Sequence, residues 1–221
     1  MAPGHAGYHR TRFRQDDRRD IVWRVLWERY FSKLVRPDSW VLDLGAGYGH
    51  FINQVRCARR FALDQWEGMT AHLESGVEGV VGPVSDLGFL PDASLDLVLA
   101  SNVFEHLERD ELLATLAAVR RKLRATGSLV ALQPNYRFAY REYFDDFTHV
   151  AVFSDRSLGD LLEAEGFEVV ERHPRFLPLT VESRLPVSPL LVRAYLASPL
   201  KPLGRQMLLR ARPAAGSPHG E

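Results

Sequence analysis

The segment Asp43-Leu44-Gly45-Ala46-Gly47-Tyr48-Gly49-His50 holds the clearest capacity for chemistry in this 221-residue chain. Its alternating glycines permit positive φ and remove the Cβ atoms that would keep a ligand off the backbone, so a nucleotide-like guest is expected. The spacing narrows the guest. A dinucleotide fingerprint needs a third glycine where His50 stands, and a phosphate-cradling loop needs a Gly-Lys-Ser/Thr run that is absent. What remains is an acid, Asp43, ahead of Gly-x-Gly-x-Gly, with a second acid, Asp64, 19 positions beyond Gly45. A carboxylate there can accept both hydroxyls of a ribose. With no phosphate to hold, a helix N-terminus after the glycines can face an amino-acid carboxylate. The plain alternatives are that Asp43 ties down the N–H groups of the turn and that Asp64 is a cap.

Two histidines are candidates for moving a proton, since imidazole titrates near neutral pH. His149 stands among Tyr143, Asp145, Asp146 and Phe147. A carboxylate beside it would raise its basicity and fix its tautomer, so it is expected to act as base or acceptor ligand. His106, in Glu105-His106-Leu107, is the second candidate, with packing or capping as its alternative. Asp145, Asp146 and His149 offer a set for a divalent cation, but no further cluster matches them and no metal is expected. Tyr136, Arg137, Tyr140, Arg141 and Asp146 are read as acceptor contacts, an aromatic wall with an anion clamp; a solvated amphipathic lid accounts for the tyrosines and arginines as well. Cys57 has no adjacent histidine and is not expected to be a nucleophile.

These groups must be positioned by alternating strands and helices, the pattern of an α/β domain with a parallel sheet. Strands are expected at Trp40–Leu44, Arg60–Leu63, Val77–Val81, Asp96–Ala100 and Ser128–Leu132, then at Phe167–Glu171 and Gln206–Arg210. Phe51, Ile52 and Val55 predict a short helix. Leu112, Leu116, Val119 and Leu123 lie on one face of a stronger one that Gly127 breaks. Leu158, Leu161 and Leu162 supply another. Ahead of the sheet, residues 1–20 lack apolar periodicity and read as a mobile arm. Trp23, Leu26, Trp27, Tyr30, Phe31 and Leu34 then predict a helical lid over 21–36 docked on the sheet and stopped by Pro37. One domain is thus expected over 21–212, with an apolar, basic insertion at 174–204 and a disordered tail at 213–221. The insertion is read first as a cover over the sheet edge and second as a partner surface, such as a homodimer contact.

Composition sets the outer bounds. The 28 basic and 28 acidic side chains cancel, which removes the broad field that gathers nucleic acid. The single cysteine excludes internal disulfides and suits a reducing cytoplasm. No run approaches the ~18 apolar residues of a membrane span. A soluble, cytoplasmic protein acting on a small molecule is expected.

Taken in order, these landmarks resemble the class I S-adenosylmethionine-dependent methyltransferases from about Pro37 to Arg172. The resemblance implies a Rossmann-like, doubly wound α/β fold with seven mostly parallel strands and an antiparallel last strand. It implies that Asp43, Gly45, Gly47 and Gly49 hold the amino-acid end of S-adenosyl-L-methionine and that Asp64 grips the ribose. It places Asp86 near the adenine amino group, Leu87 on the ring and Asn102 on the cofactor side after the fourth strand. Pro134-Asn135-Tyr136-Arg137, Phe144 to His149, Ser157-Leu158 and Arg175 to Pro178 are similar to a bacterial subgroup associated with glycan or secondary-metabolite pathways. The activity so implied is methylation of a small-molecule acceptor, by preference O-methylation of a specialised metabolite or sugar-containing compound. N-methylation, use of the sulfonium for cyclisation, and a non-enzymatic binding protein are its alternatives.

Overall fold

The computed structural model describes residues 16–178 and 187–215. Within them seven strands form one sheet: β1 (Trp40–Leu44), β2 (Arg59–Asp64), β3 (Val77–Val81), β4 (Leu95–Ser101), β5 (Leu123–Pro134), β6 (Phe167–Pro178) and β7 (Gly204–Pro213). Their order is β3-β2-β1-β4-β5-β7-β6. β1 to β5 run parallel, and β7 is antiparallel to both β5 and β6, as expected for the last strand. From β1 the chain winds outward through β2 to β3, then returns to β4 on the other side of β1. This reversal opens a crevice beyond the carboxyl ends of β1 and β4, where open α/β sheets bind ligands.

Alternation along the central strands decides which side chain meets which layer. Leu42 and Leu44 of β1, Val98 and Ala100 of β4, and Leu129 and Ala131 of β5 enter one core. The helices α2 (Arg109–Lys122) and α4 (Asp155–Ala164), with the one-turn α3 (Tyr136–Ala139) between them in the chain, follow; α2 and α4 cover this core through Leu112, Leu116, Leu158 and Leu162. Val41, Leu97, Leu99, Val130 and Leu132 face the other layer, closed by Leu26 and Phe31. Each such buried aliphatic or aromatic side chain stabilises the fold by about 1.5–3 kcal/mol.

The helix over the second face, α1 (Asp17–Arg29), begins four residues before the expected lid because Asp16 caps it, its carboxylate accepting the Arg18 N–H at 3.0 Å. The arm expected over 1–20 is therefore shortened from its C-terminal side; residues 1–15 lie outside the described residues. The lid helix ends at Arg29, and only a 3-10 turn, Phe31–Lys33, continues toward Pro37. The aromatic stripe docks as expected, with Trp23 5.5 Å and Phe31 4.8 Å from the Phe51 ring.

Three expected boundaries move. Residues around Phe51 to Val55 form stacked turns in place of a helix, closed by Gly49 O accepting from Asn53 N and Phe51 O from Gln54 N. Helix α2 stops at Lys122, five residues before Gly127, because Leu123 turns extended and pairs with Leu95. Gly127 serves strand contact instead: a Cβ there would lie 2.7 Å from Leu95 O. The final strands outrun their expected spans since β6 and β7 pair along most of their length.

The insertion contributes residues 174–178 to β6 and the helix α5 (Pro189–Ala197); 179–186, and 216–221 of the tail, lie outside the described residues. Its cover rests on α1 more than on the sheet edge. Tyr195 and Leu196 pack against the α1 side of the core, and Arg193 pairs with Glu28 at 2.7 Å.

Candidate functional site

The glycine turn leaves β1 with φ of 74° at Gly45, 53° at Gly47 and 69° at Gly49, all in the left-handed region that glycine tolerates best. A Cβ on Gly45 would meet Val103 Cγ2 at 2.6 Å, so the turn lies directly against the segment that follows β4. Gly47 N–H donates to Asp64 Oδ2 at 2.8 Å, and Trp66 N–H donates to Asp64 Oδ1 at 2.9 Å. An ionised carboxylate offers about four acceptor positions. Two are used here, and two remain for the hydroxyls of a ribose.

Asp43 is buried, 3% exposed, with the Ile52 backbone N–H near it. Burial, reinforced by the nearby Asp64 charge, pushes its carboxyl up to about 8. A buried acid with no cation beside it among the described residues is matched to a cationic guest. S-adenosylmethionine carries an ammonium and a sulfonium, so Asp43, the glycine cradle and Asp64 fit it. Tyr48, Trp66 and His72 add an aromatic group beside Asp64 that the spacing of the acids did not reveal. Tyr48 stands edge-on to Trp66 at 4.8 Å, and Trp66 stacks on His72 at 5.5 Å. Gly68 makes room for the indole, since a Cβ there would lie 2.4 Å from it.

The other cofactor-side residues divide. Asp86 is exposed in the loop after β3 and accepts the Gly88 N–H at 3.0 Å. Leu87 is 1% exposed and belongs to the core under the sheet, so its side chain does not present itself to an adenine ring; successive turns of the loop bury every third residue, Val84, Leu87 and Leu90, and so turn it inward. Asn102 holds φ 53°, and its Oδ1 accepts from Gln206 Nε2 at 3.1 Å, which places it at the carboxyl end of β4 as an exposed bracket to β7.

His106 and His149 come together, with ring centroids 4.8 Å apart. The cause is backbone pairing: Glu105 O accepts from Val150 N at 2.9 Å and Ala151 N at 3.1 Å, pinning the loop after β5 against the turn after β4. His149 Nδ1–H donates to Tyr143 O at 2.5 Å. Thr148 Oγ1–H donates to Asp146 Oδ1 at 2.6 Å, so the same oxygen accepts from His106 Nδ1–H at 2.9 Å. In their neutral form both rings are thereby set in the tautomer whose Nδ1 carries the hydrogen. For Asp146, burial opposes ionisation, but its bonds from Thr148 and the two nearby imidazoles hold its carboxyl below the usual range.

Between these histidines stands Glu105, a residue the spacing of the motifs did not single out. It is fully buried, neither carboxylate oxygen has a hydrogen-bond partner, and burial pushes its carboxyl up to about 8. The nearest sequence signal was its adjacency to His106. Gln133, buried in β5 with both side-chain polar atoms unpartnered, was likewise silent in the sequence. The cation set imagined from Asp145, Asp146 and His149 does not assemble, because Asp145 is exposed in a 3-10 turn.

The acceptor wall is partly corrected. Tyr136 is half-exposed, its ring 5.4 Å from Tyr143, and Tyr140 is exposed with its hydroxyl accepting from Arg141 Nε. Arg137 is not an open anion clamp: its guanidinium pairs with buried Asp155 at 3.1 Å, since that carboxylate needs a cation. Phe144, Phe147 and Val150 are exposed along the same loop. Cys57 donates to Arg59 O at 3.3 Å and burial pushes its thiol up, which leaves it inert. Among the described residues no helix is long and apolar enough to cross a membrane.

This fold and site are similar to those of methyltransferases that use S-adenosylmethionine as cofactor. Residues 42–131 match the family described as Methyltransferase domain. The chain is 34% identical over 193 residues to malonyl-[acyl-carrier protein] O-methyltransferase of Methylococcus capsulatus, covering 80% of this chain and 66% of that protein. It thus spans just under two thirds of that relative's length. A SAM-dependent methyltransferase from Archaeoglobus fulgidus shares the fold with a TM-score of 0.67 at 22% identity, over 94% of this chain and 98% of that one. So does a 1,6-didemethyltoxoflavin-N1-methyltransferase from Burkholderia thailandensis, whose structure holds S-adenosylhomocysteine, with a TM-score of 0.60 at 20% identity over 95% and 84% of the two chains.

Proposed function

We propose that the chain methylates an oxygen of a small molecule, by preference a hydroxyl on a specialised or sugar-containing metabolite. The observation that carries this reading is the orientation of His149, whose Nδ1–H is committed to Tyr143 O, so that Nε2 is the basic nitrogen of the neutral ring. The cofactor, when bound, supplies an electrophilic methyl group on a sulfonium. The chain's own contribution is alignment and proton handling. Asp64 and the glycine turn hold the ribose and amino-acid ends, Asp43 faces the positive charge, and Val103 joins this cradle to the histidine pair. His149, with His106 beside it, receives the acceptor oxygen and its proton. Tyr136, Tyr140 and the exposed aromatic loop offer the surface on which an acceptor ring can stack.

Asp146 supports a neutral hydroxyl over a carboxylate acceptor, because its ionised carboxyl faces the same histidines and would repel a second anion. The relative named for malonyl-[acyl-carrier protein] supports oxygen as the methylated atom; the toxoflavin enzyme keeps N-methylation as the rival. Incubation with S-adenosylmethionine and a fractionated metabolite extract, read by mass spectrometry, tests the proposal. It expects S-adenosylhomocysteine together with an O-methylated product, lost in His149→Ala. An N-methylated product, or methylthioadenosine in place of S-adenosylhomocysteine, would contradict it.

A further inference from the structure

The geometry points to a divalent first-row transition-metal site formed by Glu105, His106 and His149, in which the ion is the contact for the acceptor oxygen. One ligand atom from each residue lies within 4.8 Å of the others. Two imidazoles and a carboxylate suit zinc, cobalt, iron or manganese better than magnesium or calcium, which prefer an all-oxygen set.

Two independent features support an ion over a purely packed cluster. The first is Glu105. A fully buried carboxyl group whose two oxygens both lack partners costs free energy that a packed core avoids, and a metal ion would satisfy it. Asp146, Tyr143 and the two histidines stand near this group, and among the described residues none donates a hydrogen bond to it. The second is the outer arrangement. Metal-bound imidazoles donate their other N–H to a carbonyl or carboxylate, which orients the ring. His149 donates to the Tyr143 carbonyl, and His106 donates to Thr148, itself anchored on the Asp146 carboxylate. Thr148 and Asp146 are positioning residues in this scheme.

Bonds of about 2.1 Å would draw the three ligand atoms closer together by small side-chain rotations. Three protein ligands leave coordination positions for an oxygen of the acceptor, which the ion would acidify. This proposal stands against the expectation of no metal drawn from the sequence, and in it His149 is a ligand and not the base: the ion would lower the pKa of the acceptor hydroxyl, whose proton would leave to solvent water as its oxygen takes the methyl group. That last point rests on the O-methylation reading; metal binding itself does not.

Tag-free, chelator-treated protein titrated with Co²⁺, followed by calorimetry and by the visible absorption of the ion, provides the test. One equivalent should bind with a spectrum of nitrogen ligation, and Zn²⁺ should displace it. His149→Ala and Glu105→Ala should each weaken binding at least tenfold, with folding confirmed by circular dichroism, and Thr148→Val should weaken it about tenfold through ring orientation alone. Exposed Glu163→Gln, on the helix over the first core, should leave it unchanged. S-adenosylmethionine binding is measured on the same samples. If the wild-type chain binds the cofactor and no Co²⁺, or if Co²⁺ binding survives both His106→Ala and His149→Ala, the metal site is overturned and the methyltransferase reading stands. Co²⁺ binding with these losses supports the site even where no methylated product is found.

Discussion

Gly47 donates its backbone N–H to Asp64 across 2.8 Å, so the turn after β1 and the acid ending β2 form one unit before any ligand arrives. Preorganisation of this kind removes an ordering cost from binding. The same unit is bounded on its other side by Val103, which leaves Gly45 no room for a side chain.

Gly45→Ala should therefore destabilise the protein by about 1–3 kcal/mol, through both positive φ and the contact with Val103. Adding Val103→Ala should relieve the contact but not the backbone strain, so urea midpoints should rank wild type, double variant, single variant once the cost of Val103→Ala alone is subtracted. Equal midpoints for Gly45→Ala and wild type would show that the turn has space.

The raised carboxyl of Asp43 makes a signed prediction about pH. Its native value is about 8 against 3.8 for the ordinary group, so between these pH values the native state keeps a proton that the unfolded chain has lost. Stability contributed by this group is present below pH 4 and declines as pH rises toward 8. Asp43→Asn should flatten that decline in denaturation curves taken from pH 5 to 8. Cationic cofactor should also bind more tightly as pH rises through this range, and Asp43→Asn should remove the trend. A variant with the wild-type slope in both measurements would mean that Asp43 is ionised throughout.

Arg137 is expected to act on stability and not on the acceptor. Removing it leaves buried Asp155 with Asn135 Nδ2 at 2.8 Å but without its cation, and Arg137→Ala should cost about 1–2 kcal/mol. Cofactor affinity should be unchanged. A urea midpoint equal to wild type, with acceptor KM raised, would restore the anion-clamp role.

Much of the fold was legible because its signals are local. Apolar runs at β1 and β4, a glycine turn between them and an acid ending β2 each report on a few adjacent residues, and the cofactor cradle is made of such pieces. Leu87 was misplaced because the direction of a loop side chain depends on the core beneath it, which no spacing rule records. Arg137 was misread since its partner, Asp155, is 18 residues away and buried at the first position of helix α4. The histidine pair was found as two separate candidates, whereas Glu105 between them was passed over: its carbonyl is what joins the two loops, and that pairing spans 45 residues of sequence to Val150.

The central claim is that Asp64 and the glycine turn bind S-adenosylmethionine. Isothermal titration of the cofactor into the wild-type chain and into Asp64→Ala tests it most directly. One site should be seen in the wild type, and the variant, with folding verified, should bind at least tenfold more weakly, as expected for loss of charge-assisted bonds to the ribose. No binding heat in the wild type, or equal affinity in a folded Asp64→Ala, would contradict the account.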